Sequence, residues 1–169
     1  MAGKFVPICG PFSADTVYEN GVLRARDVGV TLPEVAATTF EIQAMGVVTL
    51  PDWSRLENME TAITKIGVDK GLASMAKPGK KELEFRGVQI VTDANGNSRK
   101  VGVKAFIHGH SNKIPGIGVA IGDPSESELT YATTRFQLFV DNEEMWCIDR
   151  LAGVCRIDGV EYADMDSML

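Results

Sequence analysis

The sequence is poor in the residues from which enzyme and metal sites are built. It has two histidines and three cysteines among its 169 residues. Positive charge is also scarce, because 17 Lys and Arg stand against 23 Asp and Glu and the formal net charge is −6. A protein that grips nucleic acid needs an excess of basic residues on one surface. The composition therefore argues against tight nucleic-acid binding.

Long apolar runs are missing as well. No segment reaches the roughly 18 consecutive apolar residues of a membrane-spanning helix, so we expect no stable membrane insertion. Residues 1–9 contain no continuous apolar stretch of signal-peptide length. Cys9, Cys147 and Cys155 are odd in number and far apart, a pattern typical of reduced thiols in a protein made in the cytosol.

What remains is the composition of a folded protein. Apolar residues make up 44 % of the chain, and a chain of this length can bury a sizeable core without disulfides or a metal. Repeats, low-complexity tracts and linkers are absent from the sequence. We therefore expect residues 1–169 to form a single domain.

Short stretches of alternating apolar and polar residues, separated by turn residues, dominate the sequence. This pattern is typical of antiparallel strands, and dipeptides such as Asn20-Gly21 predict tight hairpin turns. The fold class that follows is mainly β, an antiparallel sandwich or barrel with one short helix. Strands are predicted at residues 15–19, 22–28, 38–43, 46–50, 59–66, 82–92, 98–110, 129–140, 145–149, 154–157 and 160–162.

The helix is predicted at residues 68–77. Asp69 suits its N-cap, and Pro78-Gly79 ends it. The apolar face of this helix consists of Val68, Leu72, Met75 and Ala76. Residues 59–66 carry both a helical and a strand pattern, and their β-branched residues favour a strand.

His108-Gly109-His110 is the sharpest catalytic candidate. On a strand both imidazoles share one face and can reach one metal ion, and Gly102 completes the opening of a cupin motif. The alternative function is therefore a small cupin-like metal-dependent β-barrel enzyme. However, the acidic ligand of that motif falls at Ile114 or Pro115, neither of which binds metal. Two polar side chains on an exposed strand explain the pattern better.

The other candidates for chemistry are weaker still. Cys147 and Cys155 would complete a Cys2His2 zinc set with the two histidines, but neither pair has zinc-knuckle spacing. The glycine-rich residues 116–122 precede Asp123-Pro124, where a phosphate-binding loop needs a helix N-terminus. We therefore predict no catalytic residues, no metal and no cofactor.

Six segments recur in the same order as in one known family: residues 17–23, 27–34, 40–46, 78–87, 101–110 and 157–162. Together they cover almost the whole chain and resemble the major tail tube proteins of P2-like contractile phage tails and R-type bacteriocins. A departure lies at residues 52–57, which are more charged and less glycine-rich than in that family.

The resemblance implies a structural protein of a virion tail or bacteriocin particle, made in the cytoplasm of a bacterial host. Six subunits would close into a homohexameric ring with a shared inner β-barrel, and rings would stack into a tube. The implied partners are other copies, the tail sheath protein, and the baseplate and tail terminator proteins. DNA or ions would pass through the lumen without sequence-specific binding. An alternative within the same machinery is a ring-forming baseplate or secretion-tube relative.

Simple geometry is compatible with such a tube. If each of six subunits contributes four strands at ~4.8 Å spacing, the barrel circumference is about 115 Å and its diameter about 37 Å before strand tilt. A lumen lined by Asp and Glu would repel phosphates, so that DNA slides without sticking.

The predicted hairpin at residues 40–50 is too apolar for a free loop. We expect it either to pack on a neighbouring subunit or ring, or to fold onto the core of its own chain. The apolar residues proposed for the contact between subunits or rings are Phe40, Ile42, Met45, Val47, Val48 and Leu50.

Overall fold

The computed structural model describes residues 7–26 and 28–163, and this part of the chain is mainly β with one short helix, as predicted. The strands in it are β1 (Ile8–Glu19), β2 (Val22–Arg26), β3 (Gly29–Thr31), β4 (Ala37–Gln43), β5 (Val47–Leu56), β6 (Met59–Ile66), β7 (Lys80–Thr92), β8 (Ser98–Ser111), β9 (Glu126–Val140), β10 (Glu143–Asp149), β11 (Val154–Ile157) and β12 (Val160–Glu161). The helix is α1 (Lys70–Ala76).

Ten of these strands form one antiparallel sheet, whose main path is β12-β11-β10-β9-β8-β7-β1-β2. Strand β9 is its branch point. One edge of β9 pairs with β8, whereas the other edge pairs with β6 through residues 126–133 and with β10 through residues 135–140. Strand β3 pairs with β6. The remaining two strands, β4 and β5, pair only with each other and form a separate hairpin.

The predicted tight turns are confirmed by their backbone angles. Asn20 and Gly21 have φ values of 49° and 82°, the left-handed values that a two-residue type I′ turn requires. Asp141 and Asn142 turn β9 into β10 with φ values of 52° and 63°. Short polar residues and glycine tolerate this region of φ, which is why these sequences form hairpins.

The main core lies on one face of the sheet and is covered at one end by α1. Its buried residues come from β1, β2, β6, β7, β8, β9 and α1. Asp69 caps the helix, since its side chain accepts a 2.9 Å hydrogen bond from the Leu72 N–H. Leu72, Met75 and Ala76 are buried as predicted, but Val68 precedes the helix and is 59 % exposed, so its assignment to the apolar face was wrong.

Three other segments show how the observed strands compare with the predicted strands. Residues 59–66 form a strand, as their β-branched content indicated. Strand β1 begins at Ile8, earlier than predicted, because residues 8–14 also pair with β7 despite two irregularities in the register. Strand β9 begins at Glu126, three residues before the predicted start at residue 129.

Candidate assembly surface

The β4–β5 hairpin forms a two-stranded sheet of its own and is apolar on one face. Its register places Phe40 opposite Leu50 and Ile42 opposite Val48. Residues paired across two antiparallel strands point to the same face, so these four side chains form one apolar surface. Each of the four is exposed, and none belongs to either core cluster.

The other two residues of the predicted contact lie elsewhere on the hairpin. Met45 is at the tip, where φ values of 53° at Met45 and 127° at Gly46 make the turn, and its side chain is fully exposed. Val47 pairs with Gln43 and therefore lies on the opposite face, alongside Glu41 and Thr49. The predicted set thus divides into an apolar face, a tip and one residue on the polar face.

The base of the hairpin is fixed to the sheet. Trp53 and Leu56 pack against a second core cluster made by Met59, Ile148 and Cys155. Arg150 adds two hydrogen bonds, one of 3.0 Å to the Leu56 carbonyl and one of 3.1 Å to Asn58. The hairpin is therefore an anchored arm whose outer half has no cover within its own chain.

The charged residues 52–57 continue the hairpin as its return arm. Within them the Ser54 N–H donates a 3.0 Å hydrogen bond to Asp52, and the Ser54 hydroxyl donates to the same carboxylate. These two hydrogen bonds, the hydroxyl one first, lower the pKa of Asp52. The lowered pKa keeps this carboxylate ionised, and its two hydrogen bonds fix the local conformation between Asp52 and Ser54, while Trp53 and Leu56 of the same segment supply the apolar packing.

An apolar groove lies next to the hairpin base. It has a volume of about 370 Å³, and both tryptophans of the chain contribute to it. Its lining consists of Pro33, Glu34, Val35, Trp53, Trp146, Ile148 and Ile157. The groove was not predicted, because it joins three segments that are far apart in the sequence.

The face of β7 and β8 opposite the core carries charges of both signs. The register pairs Glu82 with His108, Glu84 with Phe106, and Arg86 with Lys104. Arg86 donates a 2.6 Å hydrogen bond to Glu84 and stacks over the Tyr18 ring. Cations are in excess on this face, because Glu82 and Glu84 stand against Lys80, Arg86, Lys100 and Lys104.

The histidines lie on this same face. His108 is half-buried and His110 is exposed. Their cross-strand neighbours include Arg135 and Lys80, respectively, and cations beside an imidazole oppose the binding of a metal ion. Among the described residues no group of three or more His, Cys, Asp or Glu is placed to hold a metal.

The two hairpin cysteines do not converge. Cys147 pairs with Arg156, and Cys155 pairs with Ile148, so the two thiols project from opposite faces of the sheet. Both are buried, and burial raises the pKa of Cys155. These residues are therefore packed, unreactive thiols.

In the described part of the chain no helix is long and apolar enough to cross a membrane.

The comparison with protein families agrees with an assembly role. The chain matches the family model for phage tail tube protein FII over residues 13–165. A search among curated proteins gives no match. Self-assembly into a tube and a place in the virion tail are what this family implies. Since the match covers nearly the whole chain, the protein belongs to the phage tail tube protein FII family and has a structural role in the tail.

Proposed function

We propose that this protein is the inner-tube subunit of a contractile tail, either of a phage or of an R-type bacteriocin. Residues 1–169 act as one tube domain. Six copies close into a ring around a shared inner β-barrel, and the rings stack into a hollow conduit for DNA or ions. The sheath protein surrounds this tube, and baseplate and terminator proteins meet its two ends.

The observation that carries the proposal is the uncovered apolar face of the β4–β5 hairpin. A two-stranded sheet alone in water is marginally stable, and a contiguous apolar surface on a soluble protein marks a contact. The residues proposed to contact a neighbouring subunit or ring are Phe40, Ile42, Val48 and Leu50 on the apolar face and Met45 at the tip, whereas Val47, the sixth predicted residue, lies on the polar face and is not part of this contact. Free sheet edges support the same conclusion, because ring closure removes edges that would otherwise pair at random.

The conduit role is supported by charge. A net charge of −6 is compatible with a lumen whose Asp and Glu residues repel phosphates. DNA would therefore move through the lumen without being retained, and no sequence would be preferred.

The two faces of the β4–β5 hairpin provide a test variant and a matched control for this proposal. Ile42→Asp with Val48→Asp places charges on the apolar face, and the matched control, Gln43→Asp with Thr49→Asp, places them on the polar face of the same hairpin. Electron microscopy of the purified proteins should show tubes for the wild type and the control but none for the first variant. Normal tubes from the first variant would end the proposal that this face makes the contact.

A ring-forming baseplate or secretion-tube relative is the competing function. Its subunits would form single rings without stacking. The same micrographs separate the two functions, since a relative of that kind gives isolated rings at every protein concentration and a tube subunit gives filaments whose length grows with concentration.

A further inference from the structure

The outer edge of β4 is open to a further strand. Among the described residues β4 and β5 pair only with each other, so each of them has one edge without a strand partner. The Ala44 N–H donates to the Gly46 carbonyl at 2.7 Å, and hydrogen-bonded pairs alternate with non-hydrogen-bonded pairs along an antiparallel ladder. Counted from Ala44, the backbone N–H and C=O groups of Thr39, Glu41 and Gln43 therefore point away from β5.

The outer edge of β5 is interrupted by a proline. Pro51 pairs with Thr39, so the same alternation places the Pro51 nitrogen on the outer edge of β5. Proline has no N–H, and within a strand it lies at an edge with its nitrogen facing outward. Asp52 and Arg55 add charges further along β5. A strand added to β5 would therefore lack a donor, whereas β4 contains neither proline nor a basic residue.

The outermost strands of the main sheet have shorter or less regular edges than β4. The main path ends at β2 and β12. Strand β12 has two residues, and β3, which lies off the path, has three. Strand β2 is longer, but its register with β1 shifts so that Arg24 has no partner in the ladder, and Arg26 adds a second charge. Since bulges and charges at a sheet edge oppose pairing with another strand, β4 offers the least protected edge.

Residues 116–122, in the connection between β8 and β9, have the sequence pattern of a strand. Ile117, Val119 and Ile121 alternate with a glycine and an alanine, so an extended chain here has one aliphatic face and one face of small side chains. The segment contains no charge and no proline, and each of its residues is exposed. An exposed, neutral segment with this alternation is suited to pair with a sheet edge.

The connection that carries this segment is fixed at both ends. Ser111 donates a 3.2 Å hydrogen bond to the Ala76 carbonyl at the end of α1. At the other end the Gly67 N–H donates to the Ser125 carbonyl at 2.8 Å. The segment is thus presented from a fixed base, which lowers the entropy cost of ordering it in a contact.

Addition of this segment to β4 would enlarge the apolar face of the hairpin. Paired residues on neighbouring strands share a face, so the aliphatic residues would lie beside Phe40 and Ile42, and the small residues beside Glu41. Val119 is 88 % exposed and Ile121 is fully exposed, so both gain from the contact. A shift of one residue would place the aliphatic side chains on the polar face, and the alternation therefore fixes the register.

We propose that residues 117–121 of one copy add as a strand to the outer edge of β4 in a second copy. The segment and the edge are unpaired within one chain, and self-assembly from many copies is what the tail tube family implies. Two different places on one chain make a head-to-tail contact, which closes into rings or continues as a filament. The contact rests on the proposed function and continues the hairpin face that the proposed function assigns to a neighbouring subunit or ring.

Disulfide trapping tests the contact and the faces of the added strand. In a Cys9→Ser background, Val119→Cys protein is mixed with Ile42→Cys protein before assembly and oxidised mildly. Both positions belong to the apolar face, so we expect a disulfide-linked dimer on a non-reducing gel from the mixture and from neither protein alone. The matched control mixes Gly118→Cys with Ile42→Cys protein, whose thiols lie on opposite faces, and should give no dimer.

A second pair of variants leaves every apolar side chain in place. Gly118→Cys and Glu41→Cys place both thiols on the face opposite the aliphatic residues, so this mixture should also give the dimer. A Cβ at Gly118 meets nothing within 4 Å, so the substitution fits the existing fold. Equal dimer yields from the same-face pairs and the opposite-face control would show unspecific collision and would overturn the proposal.

The outcomes separate this contact from the tube. Tubes from the wild type, with no dimer from either same-face pair, would overturn the contact and leave the proposed function standing. The dimers without tubes from the wild type would support the contact and overturn the tube. An intrachain disulfide in protein carrying both Ile42→Cys and Val119→Cys would show that the segment pairs with its own hairpin. A dimer from Ile42→Cys protein alone would show that two hairpins pair, and either of these results would overturn the proposal.

Discussion

Lys81 donates a 3.2 Å hydrogen bond to Glu19, and both side chains are buried in the interior beside α1. Lys81 also donates to the Ser74 carbonyl at 2.9 Å, and the Ser74 hydroxyl donates to Glu19. Strands β1 and β7 are thereby tied to the helix. Taking two charges out of water is costly, and the cost at Glu19 is offset mainly by Lys81, with Arg24 farther away at 3.8 Å from the same carboxylate.

Removing one member of the pair should therefore be strongly destabilising. Lys81→Met leaves Glu19 buried and without its main cation, and we expect a loss of about 3–5 kcal/mol in the free energy of unfolding. Lys80→Met is the matched control, because Lys80 pairs with Glu82 on the exposed face and should cost less than about 1 kcal/mol. Urea unfolding of unassembled protein measures both. Equal losses would contradict a structural role for the buried pair.

Ionisation of Tyr131 in the unfolded chain should lower the free energy of unfolding at alkaline pH. Burial first, and then the Glu19 carboxylate, raise the pKa of Tyr131 above its ordinary value. Above about pH 10 the unfolded chain ionises this phenol while the folded chain does not, so stability decreases as pH rises, by at most ~1.4 kcal/mol per pH unit.

Tyr131→Phe isolates that effect. It also removes the 2.8 Å hydrogen bond to the Met75 carbonyl, so at pH 8 it should cost about 1 kcal/mol. At pH 11 the free energy of unfolding of the wild type is lowered, so the difference in this free energy between the wild type and Tyr131→Phe should shrink or reverse. A difference that stays constant from pH 8 to pH 11 in urea unfolding would show that the buried phenol does not control alkaline stability.

Asp69 should change the free energy of unfolding at acid pH, whereas Tyr131 does so at alkaline pH. The Leu72 N–H first, and then Lys65, lower the pKa of Asp69. Its stabilising effect is therefore present above about pH 4 and lost as pH falls through the lowered folded-state pKa. Asp69→Ala should cost about 1–2 kcal/mol at pH 7 and less at pH 2.5. Asp69→Asn, which keeps the cap without the charge, serves as the control and should cost less than Asp69→Ala at pH 7.

Two glycines of β8 give a further matched pair. A Cβ at Gly109 would lie 2.9 Å from the Ala132 carbonyl oxygen on β9, whereas a Cβ at Gly102 would meet nothing within 4 Å. Gly109→Ala should therefore cost about 1–3 kcal/mol, and Gly102→Ala should be nearly neutral or stabilising. Thermal unfolding compares the two, and equal melting temperatures would argue against close packing of β8 on β9 at this point.

Local structure was predictable wherever the backbone needs a particular residue. Asn20-Gly21 and Asp141-Asn142 form turns with positive φ, and Asp69 caps the helix with its own side chain. Each feature depends on neighbours within four residues, so a single sequence contains the information. The apolar character of the hairpin was also visible, because Phe40 to Leu50 violates the polarity expected of a loop.

Features that depend on distant residues were not predictable. Strand β9 pairs with both β6 and β10, and Ile63 meets Leu129 from 66 positions away, which no local pattern encodes. The pairing of Glu19 with Lys81 spans 62 positions and looks like ordinary surface charge in the sequence. The groove between Trp53 and Trp146 arises in the same way, from segments that only the fold brings together.

Electron microscopy of the purified wild-type protein over a range of concentrations tests the central claim most directly. Hollow filaments built of stacked six-fold rings, with a lumen wide enough for a duplex, are the predicted result. A compact monomer at every concentration would contradict the account, because the exposed hairpin face would then have no partner.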